Sequence, residues 1–139
     1  MKIAVLDIGG TSIKAGIYEN GSLRDCREFA TDAYLGGESV MRKAIGILKG
    51  CCGFERIGIS TAGQVDSSAG VIRFANSNIP GYTGTQIRDI MEKEFRVPVA
   101  VENDVNAAAL GEAAFGAGQS FRDFLMLTYG TGVGGAVVM

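Results

Sequence analysis

Residues 6–17 read LDIGGTSIKAGI. An aspartate closing an apolar run, then two glycines and a threonine, can build a phosphate cradle beside a magnesium carboxylate. Gly9 and Gly10 let a ligand approach the backbone with no Cβ in the way. Successive N–H groups in such a turn form an anion nest. Thr11 adds a hydroxyl, and Lys14 supplies positive charge from the same hairpin. Asp7 can offer an oxygen to magnesium, directly or through water, because magnesium favours oxygen ligands and keeps several waters. The same letters also spell a plain tight turn, and taken alone they do not choose between the two.

A second glycine turn lies in TYGTGVGG, residues 128–135. Gly130, Gly132 and Gly135 formally match the dinucleotide fingerprint GxGxxG, but that motif needs a helix to begin inside it. Here the strand-like AVVM follows. A β-hairpin turn fits better, with N–H groups and the Thr131 hydroxyl offered to a phosphate. The motif GxxxxGK[ST] does not occur, so a P-loop is excluded.

Between the two turns runs VENDVNAA, residues 101–108. Asp104 stands where a strand gives way to a helix, and there it could be an N-cap. It could equally accept a proton from a sugar hydroxyl that Asn103 orients. Cap and base would compete for the same lone pairs, so Asn103 must cap if Asp104 is to stay free. STAGQVD (60–66) and NSNIPGY (76–82) are loops rich in small and amide residues. Each can be a plain turn. Each also follows a strand of one sheet, where ligand clefts of α/β folds form.

The rest of the composition narrows the chemistry. The chain has no histidine, so proton transfer near neutral pH falls to a carboxylate, or to Lys, Cys or Tyr. With 139 residues and 47% hydrophobic content it can bury one core. A net charge of −2 gives no electrostatic footprint for nucleic acid. No apolar run reaches the roughly 18 residues of a membrane helix, and the start lacks the pattern of a signal peptide. These features predict a cytoplasmic protein that binds neither nucleic acid nor membrane. The three cysteines, Cys26, Cys51 and Cys52, are odd in number, which is not a disulfide framework, and the adjacent pair Cys51 and Cys52 at a helix end is expected to be half-buried packing.

The elements that would hold these stretches follow from periodicity. Residues 2–8 form a continuous apolar run and predict a buried strand. Residues 13–18 alternate, and Asn20-Gly21 is a strong hairpin signal, so 23–30 should return as a third strand. Val40, Met41, Ala44, Ile45 and Leu48 mark a helix over 38–49, stopped by Gly50. A strand over 55–60, a hairpin over 65–74 turning at 67–70, and a helix over 85–95 follow. A strand at 99–102, an alanine-rich helix over 104–117, and strands at 123–129 and 133–138 complete the chain. The fold class is α/β, a mixed sheet with an antiparallel meander and flanking helices. Strand, glycine turn, strand occurs twice, as a fold of two equivalent lobes would produce.

In this order, the five stretches resemble the sugar kinases of the ROK family (repressors, open reading frames and kinases). The resemblance runs from Leu6 to Val138. It implies an actin-like, ribonuclease H-like ATPase lobe. It implies Asp7 near magnesium, and Gly9, Gly10, Thr11 and Lys14 near the phosphates of ATP. Gly130, Thr131, Gly132 and Gly134 would form the second phosphate motif. Gly63 matches the family's sugar loop, with Ala62 where a proline is common. Asn78 would contact the sugar, and Tyr82 stands in a place usually held by tryptophan. Asn103 would bind the sugar and Asp104 would serve as both sugar ligand and catalytic base.

The resemblance further implies ATP and Mg2+ as cofactors, a small-molecule sugar as partner, and a homodimer as one form members often take. Members run to about twice this length. Their second lobe carries a histidine-containing sugar motif and a cysteine-rich zinc site, both absent here. Residues 1–118 are therefore expected to be the first lobe and 119–139 the first hairpin of a second, with the chain alone nearly inactive. Repressor members carry a DNA-binding arm before the first strand, and no such arm precedes Lys2. Two other readings stay open: a sugar-sensing domain without catalysis, and an actin-like ATPase with a non-sugar acceptor. Neither the sugar nor the hydroxyl is named by these residues.

Overall fold

The structure, a computed structural model, describes residues 1–130 and 132–139. Strands β1 (Lys2–Ile8), β2 (Ser12–Glu19) and β3 (Ser22–Ala30) form the antiparallel meander. Asn20 and Gly21 turn β2 into β3 with φ of 51° and 77°, the left-handed pair of a type I′ hairpin. Helix α1 (Gly37–Lys49) then crosses to β4 (Arg56–Thr61), which pairs parallel with β1. Strands β5 (Gln64–Asp66) and β6 (Val71–Phe74) form a separate hairpin. Helix α2 (Ile87–Phe95) leads to β7 (Val99–Asn103), parallel to β4. The central sheet therefore has five strands in the order β3-β2-β1-β4-β7. Helix α3 (Asp104–Phe115) follows directly, then the hairpin β8 (Phe124–Tyr129) and β9 (Val133–Val138).

One face of the sheet carries the core. Ala4, Leu6, Ile8, Ile13, Ala15, Ile17, Ile57, Ile59, Val99 and Val101 pack there with Val40, Met41, Ala44 and Leu48 of α1 and Ile87 and Met91 of α2. These are the residues whose helical and alternating spacing marked each element, so period and burial agree. The expected buried strand over 2–8 is fully buried on one face only. Ala4, Leu6 and Ile8 are buried, but Val5 and Asp7 on the opposite face are only half-buried. The reason is that α3 packs on the β4 and β7 half of that face and meets the β1–β3 half only where Phe115 lies against Tyr18.

Two helix boundaries differ from the periodicity. Helix α2 begins at Ile87 rather than Thr85, because Thr85 lies in a turn. There its N–H and hydroxyl both donate to the Tyr82 carbonyl, and its own carbonyl accepts from Ile72 N–H. Helix α3 ends at Phe115, two residues early, and a short 3-10 turn follows over Ala117–Ser120. Cys51 is half-buried as expected, but Cys52 is exposed, as is Cys26, and all three are free thiols. Among the described residues no helix is long and apolar enough to cross a membrane.

Candidate sugar and phosphate cleft

The parallel strands β1, β4 and β7 end on the same side of the sheet, and a cleft of about 510 Å³ opens beyond them. Gly10 reaches it from the turn after β1, Ala62 and Gly63 from the turn after β4, and Asn103 from the end of β7. Asn78 comes from the loop after β6, and Gly134 comes from β9. Five of the residues singled out in the sequence thus share one cavity. They come from segments up to 124 positions apart (134 less 10).

Gly63 can sit there only as glycine. Its φ is 100°, and a Cβ would lie 2.9 Å from the Phe74 carbonyl oxygen. Gly134 is required for space. A Cβ would fall 2.5 Å from Val105 Cγ2 and 2.7 Å from Thr128 Oγ1, so β9 could not lie against the first turn of α3.

The start of α3 resolves the competition between cap and base. Asn103 Oδ1 accepts from the N–H groups of Val105 at 3.0 Å and Asn106 at 3.2 Å, so Asn103 is the cap. Asn103 Nδ2 donates to the Gly63 carbonyl at 2.8 Å and to Asp104 Oδ1 at 2.9 Å. Asp104 Oδ1 also accepts from Val105 N–H at 2.9 Å. Among the described residues no group donates to Asp104 Oδ2, and the side chain is half-buried. Asn103 and Val105 line the cleft, whereas Asp104 between them is not one of its lining residues. A hydrogen-bonded carboxylate with one free oxygen can accept a proton from a hydroxyl that reaches it. The Asn103 carboxamide is fully engaged, so a sugar hydroxyl at its oxygen would share lone pairs with the helix cap.

The first glycine turn is more committed to itself than its letters suggest. Gly9 N–H donates to the Ser12 carbonyl at 2.9 Å, and Thr31 Oγ1 donates to the Gly9 carbonyl at 2.7 Å. The Thr11 carbonyl accepts from Thr31 N–H at 2.9 Å. Gly10 and Thr11 are exposed, and among the described residues no group accepts from their N–H groups. The second turn repeats this economy: Gly130 N–H donates to the Gly132 carbonyl at 2.9 Å. Thr131 lies outside the described residues.

Asp7 and Lys14 face each other across β1 and β2 in register, but they line a second cavity, of about 490 Å³, with Ser60, Arg27 and Glu28. The Ser60 hydroxyl donates to Asp7 Oδ1. The structure therefore separates this pair from the cleft that holds Gly10, Gly63, Asn78, Asn103 and Gly134.

Tyr82, which stands where the resemblance usually has tryptophan, lies in the core. It is wholly buried, and its hydroxyl meets Thr61 Oγ1 at 2.8 Å. Burial pushes that hydroxyl up to about 12, with the Thr61 hydrogen bond acting weakly the other way. Tyr82 is a core anchor for the loop that presents Asn78, not a wall of the cleft.

Sequence reasoning missed Gln64, Phe74 and Asn76, which also line the cleft. Gln64 and Asn76 stood inside the amide-rich loops already noted, so their side-chain type was the available signal. Asn76 Oδ1 accepts from Asn78 N–H at 3.1 Å, which shapes the loop around both amides. Asp66 was also unmarked. It accepts from Ser68 Oγ at 2.6 Å, from Arg73, and from Ala69 N–H at 3.0 Å, and these bonds hold its carboxyl far below the usual carboxylate range. Those bonds fold the β5–β6 hairpin and do not reach the cleft.

A mixed sheet with an antiparallel meander, two parallel crossovers and glycine turns at its carboxyl edge fits the actin-like ATPase fold. The comparisons agree. The family model described as "ROK family" matches residues 3–139, and the chain belongs to that family. It is 36% identical over 142 residues to a glucokinase of Thermotoga maritima, covering 99% of this chain and 44% of that protein. It is 34% identical over 141 residues to a beta-glucoside kinase of Listeria innocua, covering 99% of this chain and 46% of that protein. The crystal structure of a ROK family glucokinase from Streptomyces griseus with glucose and AMPPNP superposes with a TM-score of 0.88. It is 34% identical, with 100% of this chain and 45% of that one covered. The chain thus spans less than half the length of these relatives.

Proposed function

We propose that the protein carrying this chain transfers the γ-phosphoryl group of ATP to a hydroxyl of a hexose or related sugar. One observation carries the reading. Gly10 and Gly134, one from each glycine hairpin, line the same cleft as Gly63, Asn78 and Asn103, and Asp104 stands in the chain between two lining residues, Asn103 and Val105.

In this reading the N–H groups of Gly10 and Thr11 meet the phosphates from one side. The β8–β9 turn, Gly130 to Gly134, meets them from the other. Asn78, Gln64 and Asn76 supply the carboxamides that recognise a neutral polyol, and Gly63 lets the sugar approach the backbone. Asp104 Oδ2 accepts the hydroxyl proton as the oxygen attacks. Phosphoryl transfer asks little covalent help, so positioning and charge stabilisation dominate.

Asp7 fits a magnesium ion held mainly through water. It is a single carboxylate whose Oδ1 is fixed by Ser60, and magnesium in such sites uses one or two carboxylates together with phosphate oxygens. When bound, the ion neutralises charge on the phosphates. Asp7 and Lys14 belong to the neighbouring cavity, so their part is at the outer phosphates rather than at the sugar.

Residues 119–139 are read as the opening hairpin of a second lobe. The apolar outer face of that hairpin supports this: Leu125, Leu127, Val133 and Val137 are all at least half exposed. Closure of two lobes would keep water from the γ-phosphate.

The test is ADP release by the full-length protein with Mg-ATP across glucose, fructose, allose, N-acetylmannosamine and cellobiose. Turnover that depends on one of these sugars supports the reading. Sugar-independent turnover replaces it with an ATPase of another acceptor. Sugar binding without turnover replaces it with a sensor.

A further inference from the structure

The β5–β6 hairpin makes no ladder with the central sheet. Its strands have three and four residues, and a lone pair of strands that short is marginal in water. The segment before α2 holds its second strand, through the bridge Val71 to Gln86, Ile72 N–H to the Thr85 carbonyl at 3.0 Å and Gly84 N–H to the Ile72 carbonyl at 2.8 Å. Yet its open end carries Gln64, Phe74 and Ala75 into the cleft.

Those bonds leave the turn of the hairpin, Ser67 to Gly70, to be tied to β7, and Arg88, in the first turn of α2, does this. Its Nη1 donates to the Ser68 carbonyl at 2.6 Å, its Nη2 to the Ser67 carbonyl at 2.6 Å, and its Nε to the Val99 carbonyl at 3.1 Å. Its backbone N–H donates to the Gly70 carbonyl at 3.1 Å. Gly70 is buried with φ of 71°, and a Cβ there would fall 2.3 Å from Arg88 Cβ. The turn of the hairpin is therefore wrapped on the arginine stem. Val99 begins β7, and the other end of β7 bears Asn103 next to Asp104.

We propose that Arg88 is a positioning residue of the cleft. Its guanidinium fixes the wall that carries Gln64 and Phe74 against the strand that carries Asn103. The chemistry explains the residue type, because a planar fork with several fixed donors can address carbonyls on two elements at once, and an ammonium cannot. As a statement about acceptor binding, the proposal rests on the sugar-kinase reading.

R88K and R88Q, made in the full-length protein, test it in two ways. Amide hydrogen exchange over residues 64–74 should quicken by about tenfold or more while amides of β1 and β4 keep their protection. With the panel sugar that the wild type turns over fastest, the sugar KM should rise about fivefold or more. The ATP KM and kcat should stay within about twofold. G70A attacks the same contact from the hairpin side and should shift the sugar KM in the same direction. Unchanged hairpin exchange, exchange that quickens equally over the whole sheet, or equal rises in both KM values would overturn the role of Arg88. A wild-type protein that turns over no sugar would overturn the reading of the cleft, and the exchange comparison then decides the tie by itself.

Discussion

Asn103 Nδ2 lies 2.9 Å from Asp104 Oδ1, and Asn103 Oδ1 takes the two amide hydrogens that open α3. The amide does the structural work of the helix start and orients the acid beside it. Without that division Asp104 would be drawn into capping with both oxygens, and nothing would remain for a substrate.

Asp104→Asn should therefore separate binding from chemistry. The substitution keeps an oxygen for Val105 N–H and the shape of the site. Sugar affinity, read by calorimetry on the full-length protein, should stay within about twofold, while kcat falls by ~10²–10⁴-fold, the usual worth of a general base. Undiminished turnover would leave Asp104 as a helix-start residue only.

Tyr82→Phe should weaken the fold without touching the cleft wall. It strands the Thr61 hydroxyl in a fully buried place, where only the Ala62 carbonyl at 3.3 Å remains to it. An unpartnered buried hydroxyl costs about 1–3 kcal/mol. Urea denaturation should show a loss in that range. Adding Thr61→Val should recover most of it, because removing both polar partners is nearly neutral. Simple additivity of the two losses would contradict the pairing.

The same residue sets a pH limit. The Tyr82 hydroxyl is raised from an ordinary 10.0 to about 12 in the folded protein. A raised acid binds its proton more tightly when folded, so its stabilising contribution is complete below pH 10. It is lost as pH rises from about 10 to about 12. Of the four tyrosines in the chain, one should ionise late in an ultraviolet titration, and Tyr82→Phe should abolish that late step. Four simultaneous transitions near the ordinary value would show the hydroxyl to be open to water.

Gly134→Ala tests the contact between β9 and α3. The new methyl would meet Val105 Cγ2 and Thr128 Oγ1 at under 3 Å. Overpacking of this kind costs about 1–3 kcal/mol. It should also raise the ATP KM of the full-length protein more than the sugar KM. Combining it with Val105→Ala should return part of the stability. No change in thermal midpoint would mean the hairpin shifts freely against the helix.

Much of the fold was legible because its signals are local. Asn20-Gly21 set the first hairpin, the spacing of Val40, Met41, Ala44 and Leu48 set α1, and Asn103 stood where a cap belongs. Of the cleft lining, Gly10, Gly63, Asn78, Asn103 and Gly134 stood out in the sequence, because glycines in turns and amides in loops are visible as types. What escaped depends on meetings between distant segments. Nothing within NIPGY shows that Tyr82 turns inward to Thr61, a partner 21 residues away. Nothing in DIGGT shows that Gly9 N–H closes on Ser12, or that Asp7 opens on a different cavity from Gly10. Arg88 carried no motif at all, since its partners are backbone carbonyls, which every residue owns.

Helix α3 touches β4 and β7 on one flank and β8 and β9 on the other, and Ala107, Ala108, Ala109, Ala113 and Ala114 fill much of its length. Methyl groups let two layers draw close to one helix axis. The alanine content of α3 thus works as a spacer, with its thickness fixing the gap between the turn that bears Gly10 and the strand that bears Gly134. Lengthening those side chains would widen the jaw without altering a single residue on its rim.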